Sequence, residues 1–230
     1  MIDRIVIGNP DTFHPATRRQ ESLLAPLERR ALLWMACRIP ERIGPDHLTA
    51  LGLFALLAAG ASYVLAARSP WMLGVASVFI VVNWFGDSLD GTLARVRDRQ
   101  RPRYGFYVDH VIDAVGATAI LAGIAASGLA TPLVAAVLLI AFLLFSVETY
   151  LATYCVGTFR LSHYGFSPTE MRLLLIAGNV AAIWRPTVTI GGRTMPFFDV
   201  GFAIAAIVMV ALFVWSSVRN GLRLARLERL

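Results

Sequence analysis

An all-α integral membrane fold is what this sequence predicts, with six transmembrane helices behind an N-terminal amphipathic helix at the membrane surface. Three observations predict it. The 230-residue chain is 57% hydrophobic with a mean hydropathy of +0.64, above the roughly 45–50% apolar content of soluble domains. Its apolar residues gather into runs long enough to span a bilayer, which takes about 20 residues. Short turns rich in Pro, Gly and Arg separate those runs.

Residues 1–45 read as a tail plus an interfacial segment. Residues 1–15 are polar, contain Pro10 and Pro15, and carry no long apolar stretch of the kind a cleaved signal peptide needs. Residues 16–38 mix Leu, Trp and Met with Arg and Glu, which suits one or two amphipathic helices lying on the membrane, or a helix that docks on a partner. The membrane domain is expected over 46–222. Its spans are read at 46–67, 71–96, 104–127, 131–156, 169–184 and 197–218. Pro168 marks the start of the fifth. Residues 185–196 form a turn-rich loop with a hairpin-like bend at Gly191-Gly192. Residues 223–230 make a basic C-terminal tail.

Charge fixes the orientation. The net charge is +6, and all 21 basic residues are arginine. Most lie in the N-terminal segment, in the turns at 97–103 and 157–167, and in the C-terminal tail; the opposite side holds Arg68, Arg185 and Arg193. The positive-inside rule then puts both termini and the 97–103 turn in the cytoplasm. Arg97, Arg99, Arg101 and Arg103 are read mainly as topology and lipid-headgroup charges. No stretch resembles a nucleic-acid module. Cys37 and Cys155, the two cysteines, have no metal-ligand spacing and are expected to be buried packing residues.

The chemistry concentrates in residues 87–113. Asp87 and Asp90 stand three apart near the end of the second span. Asp109 and Asp113 stand four apart near the start of the third. Each spacing puts its pair on one helical face. Acids at membrane depth are expensive and face a cavity or a partner. Gly91 and Ala94 share the first face and Gly105 the second, so little bulk separates the carboxylates from a ligand. Oxygen donors of this kind suit Mg²⁺ or Mn²⁺, which often share their coordination with a substrate phosphate.

The run Asp87-x2-Asp90-Gly91-x2-Ala94-Arg95-x9-Gly105-x3-Asp109-x3-Asp113 resembles the signature of the CDP-alcohol phosphotransferase family, and a weaker likeness covers most of 45–222. The resemblance implies a six-helix membrane enzyme, usually a homodimer, that takes a CDP-linked donor and an alcohol acceptor, releases CMP and makes phospholipid. It implies Asp87, Asp90, Asp109 and Asp113 as ligands of two Mg²⁺ or Mn²⁺ ions, with Asp113 also the general base. It implies Gly91, Ala94, Arg95 and Gly105 as the donor site. Pro45-Asp46-His47-Leu48-Thr49 resembles the family's Pro-Asn-x-x-Thr, with Asp46 in place of Asn. Asp109-His110-x2-Asp113, with Glu148, Tyr150, Pro168 and Glu170, is similar to the choline/ethanolamine phosphotransferase branch. Glu148, Arg160, Glu170 and Arg172 are the acceptor-side candidates; the two arginines suit an acceptor phosphate or cytoplasmic anchoring, and the two acids suit an amine or those arginines. His110 lies off the face of Asp109 and Asp113 and suits packing at least as well as catalysis. The setting implied is a bacterial or archaeal cell membrane with the active site facing the cytoplasm. Two alternatives stand beside this reading: a divalent metal-ion transporter using the Asp cluster, and a catalytically silent scaffold.

Overall fold

A computed structural model describes residues 25–156 and 168–228. The described residues fold into seven helices and one hairpin, in the order α1 (Ala25–Ala36), α2 (Pro45–Ala66), α3 (Met72–Val96), α4 (Pro102–Ala126), α5 (Pro132–Val156), α6 (Pro168–Trp184), β1 (Thr187–Ile190), β2 (Arg193–Pro196) and α7 (Phe197–Leu227). Helices α2, α3, α4, α5 and α7 are long and apolar enough to cross a membrane. Helix α6 is the short one of the six expected spans. Its 17 residues rise about 26 Å at 1.5 Å per residue, slightly less than the roughly 30 Å hydrocarbon core.

The ends of these helices follow local chemistry. Pro45, Pro102, Pro132 and Pro168 each open a helix, where a missing N–H costs nothing. Helix α3 closes on Asp98, which takes the left-handed conformation at φ 52°. Asp98 N–H donates to Arg95 C=O at 3.3 Å and Arg99 N–H to Ala94 C=O at 2.9 Å. That is a Schellman closure, with an aspartate in the place glycine usually takes. Gly191 and Gly192, at φ 58° and 79°, form the two-residue loop joining β1 to β2, as a tight hairpin turn demands. Helix α7 runs unbroken to Leu227, so no break separates its membrane part from the basic tail expected from 223.

Helix α2 packs between α3 and α4. Lipid tails are as apolar as leucine, so these helices associate through close backbone approach and polar ties rather than hydrophobic drive. At Gly86 of α3 the two backbones nearly touch: a Cβ there would lie 2.6 Å from Leu48 C=O and 2.8 Å from Gly52 N. A polar tie holds α6 toward the end of the bundle away from the motif. Tyr63 of α2 donates to Asn179 Oδ1 at 2.8 Å, and Asn179 Nδ2 donates to Ser77 Oγ of α3 at 3.0 Å. At the end of the bundle away from the motif, Asp199 of α7 accepts from the Thr131 N–H and hydroxyl, both at 2.6 Å, pinning the start of α5.

The main apolar core joins α2 to α7. A second, smaller cluster lies at the motif end, where Leu32 and Ala36 of α1 pack with Leu48, Leu89 and Leu93. Helix α1 is therefore docked onto α3. Residues 1–24 and 157–167 lie outside the described residues, and with them the tail, the first part of the surface segment and Arg160. Cys37 and Cys155 are exposed rather than buried. Cys155 stands in the last turn of α5 beside Tyr154, itself 90% exposed, where none of the described helices covers it.

Candidate active site

The site lies where the end of α3 and the start of α4 face each other across the start of α2. Asp87 and Asp90 lie in the C-terminal half of α3, and Asp109 two turns into α4. These three line one small chamber of about 10 Å³ together with Thr49, Gly52, Asn83 and Ile112. That volume suits one water-sized body. Asn83 anchors the wall by donating to Gly52 C=O at 3.1 Å. Thr49 donates to Asp90 Oδ2 at 2.6 Å, so the buried acid has a neutral hydroxyl on one oxygen.

The chamber shares Thr49, Asp90 and Asp109 with a wider cleft of about 80 Å³. Gly91, Ala94 and Gly105 line that cleft. Gly105 has no neighbouring atom within 4 Å of where a Cβ would stand, and Gly91 only Arg95 Nη1 at 3.6 Å. These small residues keep space open; they are not packed shut. At the cleft's mouth stand Asp46, Arg99, Arg101 and Tyr104. Asp46 is ion-paired with Arg101, whose guanidinium lies 4.2 Å from the Tyr104 ring centre. Arg95 folds back along its own helix, donating to Thr92 Oγ1 at 3.0 Å, and lines neither space.

Asp113 lies one turn beyond Asp109 and is exposed, outside both spaces. It remains within electrostatic reach of Asp87 and Arg172. Asp90 in turn is acted on by the charges of Asp109 and Asp87. The four acids therefore form one electrostatic group, three around the chamber and one at its side. Among the described residues, no three acid, imidazole or thiol side chains stand close enough to grip a single ion as they are. The donor set itself is all oxygen, as hard cations require.

Arg172 of α6 reaches the site and donates to Asp87 Oδ2 at 2.6 Å. Glu170 sits half-buried in the first turn of α6 and lines neither space. Glu148 is buried between α5 and α7, accepting from Ser216 Oγ and Asn220 Nδ2, each at 2.8 Å. Among the described residues its partners are these neutral groups rather than arginines. His110 bonds back to Phe106 C=O and packs 4.1 Å from the Phe106 ring and 4.5 Å from Tyr150, which is a packing position between α4 and α5.

Composition alone missed several participants. Arg99 and Arg101 line the cleft rather than serving only as topology charges. Arg97 clamps the α1–α2 connection, its Nη2 donating to Ile39 C=O at 2.8 Å and Pro40 C=O at 3.0 Å. Their density in one turn hid two different placements.

A family model for the CDP-alcohol phosphatidyltransferases matches residues 42–217. The chain belongs to the CDP-alcohol phosphatidyltransferase family. It is accordingly a membrane phosphotransferase of phospholipid synthesis that uses a CDP-linked donor, and the transporter alternative has no support. The solved structure of Mycobacterium tuberculosis phosphatidylinositol phosphate synthase (PgsA1), with CDP-DAG bound, shares the fold. The match has a TM-score of 0.57 at 19% identity, covering 86% of this chain and 93% of that one. No curated protein matches the sequence. The matched segment of this phosphatidyltransferase starts just before α2 and ends within α7, so α1 lies outside it.

Proposed function

We propose that the cleft between α2, α3 and α4 seats the CDP part of the donor, and that an acceptor hydroxyl attacks from the side of Asp113 and Arg172. The single observation that carries this reading is the shared wall: chamber and cleft meet at Thr49, Asp90 and Asp109, with Gly91, Ala94 and Gly105 leaving the cleft open.

Each residue then has a task. Gly91, Ala94 and Gly105 let the nucleotide approach the helix backbones. Arg95, one turn past Gly91, offers a planar cation to donor phosphate, and Arg99 and Arg101 make the mouth attractive to a polyanion. Asp113 accepts the proton of the acceptor hydroxyl as general base. The hydroxyl oxygen bonds to the donor's β-phosphorus, the bond from that phosphorus to the bridging oxygen breaks, and CMP leaves with the electron pair. Arg172 serves the acceptor side, offering its guanidinium to a negative group from its place beside Asp87. Asp87, Asp90, Asp109 and Asp113 would hold two Mg²⁺ or Mn²⁺ ions, which when bound neutralise the diphosphate and align attacking and leaving oxygens.

The reading extends to placement. Residues 46–222 form the catalytic unit, six helices cross the membrane, the site opens to the cytoplasm of a bacterial or archaeal cell, and the enzyme works as a homodimer. The arginine distribution supports the orientation, and the family's habit supports the dimer.

The experiment is a donor and acceptor screen on purified protein. CDP-diacylglycerol is offered with inositol phosphate, glycerol phosphate or serine, and CDP-choline or CDP-ethanolamine with diacylglycerol. CMP release and lipid mass spectrometry are followed with Mg²⁺, with Mn²⁺ and with EDTA. One pair should release CMP only with added metal. CMP release that persists in EDTA, or none from any pair, overturns the reading.

A further inference from the structure

Helix α1 lies outside the family match, yet it is tied to the site by one atom. Glu28 Oε1 accepts from Trp84 Nε1 at 2.8 Å, from Thr169 Oγ1 at 2.9 Å and from Ser88 Oγ at 3.5 Å. Trp84 and Ser88 belong to α3; Ser88 directly follows Asp87. Thr169 opens α6, one turn before Arg172. A single carboxylate oxygen thus joins the helix that carries the first two motif acids to the helix that carries the cation paired with one of them.

The rest of α1 is fixed independently. Leu32 and Ala36 pack against Leu89 and Leu93, which lie on α3 away from the motif face, and Arg97 clamps the exit from α1 at Ile39 and Pro40. The carboxylate is therefore presented from a seated helix. Hydrogen bonds to a charged acceptor are worth more than neutral ones, and a partly covered site screens them less than open water would.

We propose that Glu28 is a positioning residue: it straps the start of α6 to α3 and so holds Arg172 against Asp87. The proposal rests on the reading of Arg172 and Asp87 as parts of the active site. It assigns α1 a role in turnover beyond lying on the membrane.

Four variants test it on the full chain in detergent, with the donor and acceptor pair that the screen identifies. Glu28→Ala should lower kcat by about tenfold, the scale of losing bonds to a charged group, with donor KM within about twofold. Glu28→Gln keeps an oxygen for all three donors and should recover most of the rate. Thr169→Val removes the α6 arm, and adding it to Glu28→Ala should cost little further, because both act through one strap. A Glu28→Ala enzyme at wild-type kcat, a Glu28→Gln enzyme as slow as the alanine variant, or fully additive losses would overturn the proposal. Hydrogen exchange supplies a readout free of activity. Amides from Thr169 to Leu173 should exchange faster in Glu28→Ala and Thr169→Val than in the wild type. Unchanged exchange there overturns the strap even with an active enzyme. Faster exchange in a chain that releases no CMP would instead keep the strap and remove the activity reading. Should Glu28→Ala fail to elute as a folded species, Thr169→Val and Glu28→Gln carry the same test.

Discussion

Arg172 of α6 donates to Asp87 of α3 across 2.6 Å, with the two side chains 16% and 33% exposed. The first acid of the motif is thus matched by a cation from a helix far along the chain. Truncating one member of a partly covered pair leaves the other charge without its partner, which costs more than the pair itself contributes. Arg172→Ala should cut kcat/KM by at least about tenfold. Arg172→Lys should restore only part, since an ammonium cannot reproduce a planar fork. CMP release under fixed donor and varied acceptor checks both, and a wild-type acceptor dependence in Arg172→Ala would remove it from the acceptor side.

Asp113→Asn keeps shape and volume while removing the basic oxygen. The side chain is exposed, so packing should survive, and the variant should elute and melt like the parent. A general base contributes roughly 10²–10⁴ in rate, and turnover should drop by that order. Single-turnover CMP release measures it. Near-normal turnover would strip Asp113 of the role.

Thr49 tests the other end of the site. Its hydroxyl is bonded to Asp90, and a bond to a charged acceptor is worth about 1.5–3 kcal/mol. Thr49→Val should lower kcat/KM by about ten- to a hundredfold, while Thr49→Ser retains most activity. Equal rates for valine and serine would mean that the hydroxyl is idle.

Much of this was legible in the chain, and the reason is physical. Long apolar runs between Pro- and Arg-rich turns specify helices almost without context, because a lipid-facing backbone has to bond within its own segment. The carboxylate pairs were legible because their spacings are helical and their cost at membrane depth needs a reason. The details that escaped are long-range. Thr49 with Asp90, Glu28 with Thr169, and Arg172 with Asp87 are separated by 41, 141 and 85 residues, and no local pattern announces which helix an isolated Thr or Glu will face. Arg97 and Arg101 look alike in sequence, yet one clamps the α1–α2 connection and the other pairs with Asp46. Glu148, an acceptor-side candidate by its likeness to one branch of the family, bonds to Ser216 and Asn220 on another helix, which again no local pattern announces.

Asn179 should matter to the bundle rather than to chemistry. It links α2 and α3 to the short α6 through Tyr63 and Ser77. Side-chain bonds between membrane helices average about 0.6 kcal/mol and reach about 1.7. Asn179→Leu should therefore lower stability by about 1–2 kcal/mol, since it loses two such bonds and strands the Tyr63 hydroxyl. Tyr63→Phe in the Asn179→Leu background should restore part of the loss, because it removes the stranded group. Thermal unfolding in detergent, followed by circular dichroism, checks the order of the three proteins.

Two glycines of the site region should separate packing from binding. At Gly86 an added methyl meets backbone on two sides, Leu48 C=O at 2.6 Å and Gly52 N at 2.8 Å. Backbone cannot swing aside as a long side chain can, so α2 and α3 have to part. Overpacking of this kind costs about 1–3 kcal/mol, and Gly86→Ala should melt earlier than the parent. It should also lose activity, because the displaced strip of α2 carries Thr49 and the displaced strip of α3 carries Asp87 and Asp90. At Gly105 the same methyl meets nothing within 4 Å and points into open space on the cleft wall. Gly105→Ala should melt like the parent, or slightly later, since alanine favours a helix by roughly 1 kcal/mol over glycine. Its donor KM should nonetheless rise, because the methyl takes room from the nucleotide. A Gly105→Ala enzyme with unchanged donor KM would mean that the cleft is not where the donor sits, whatever the melting temperatures show.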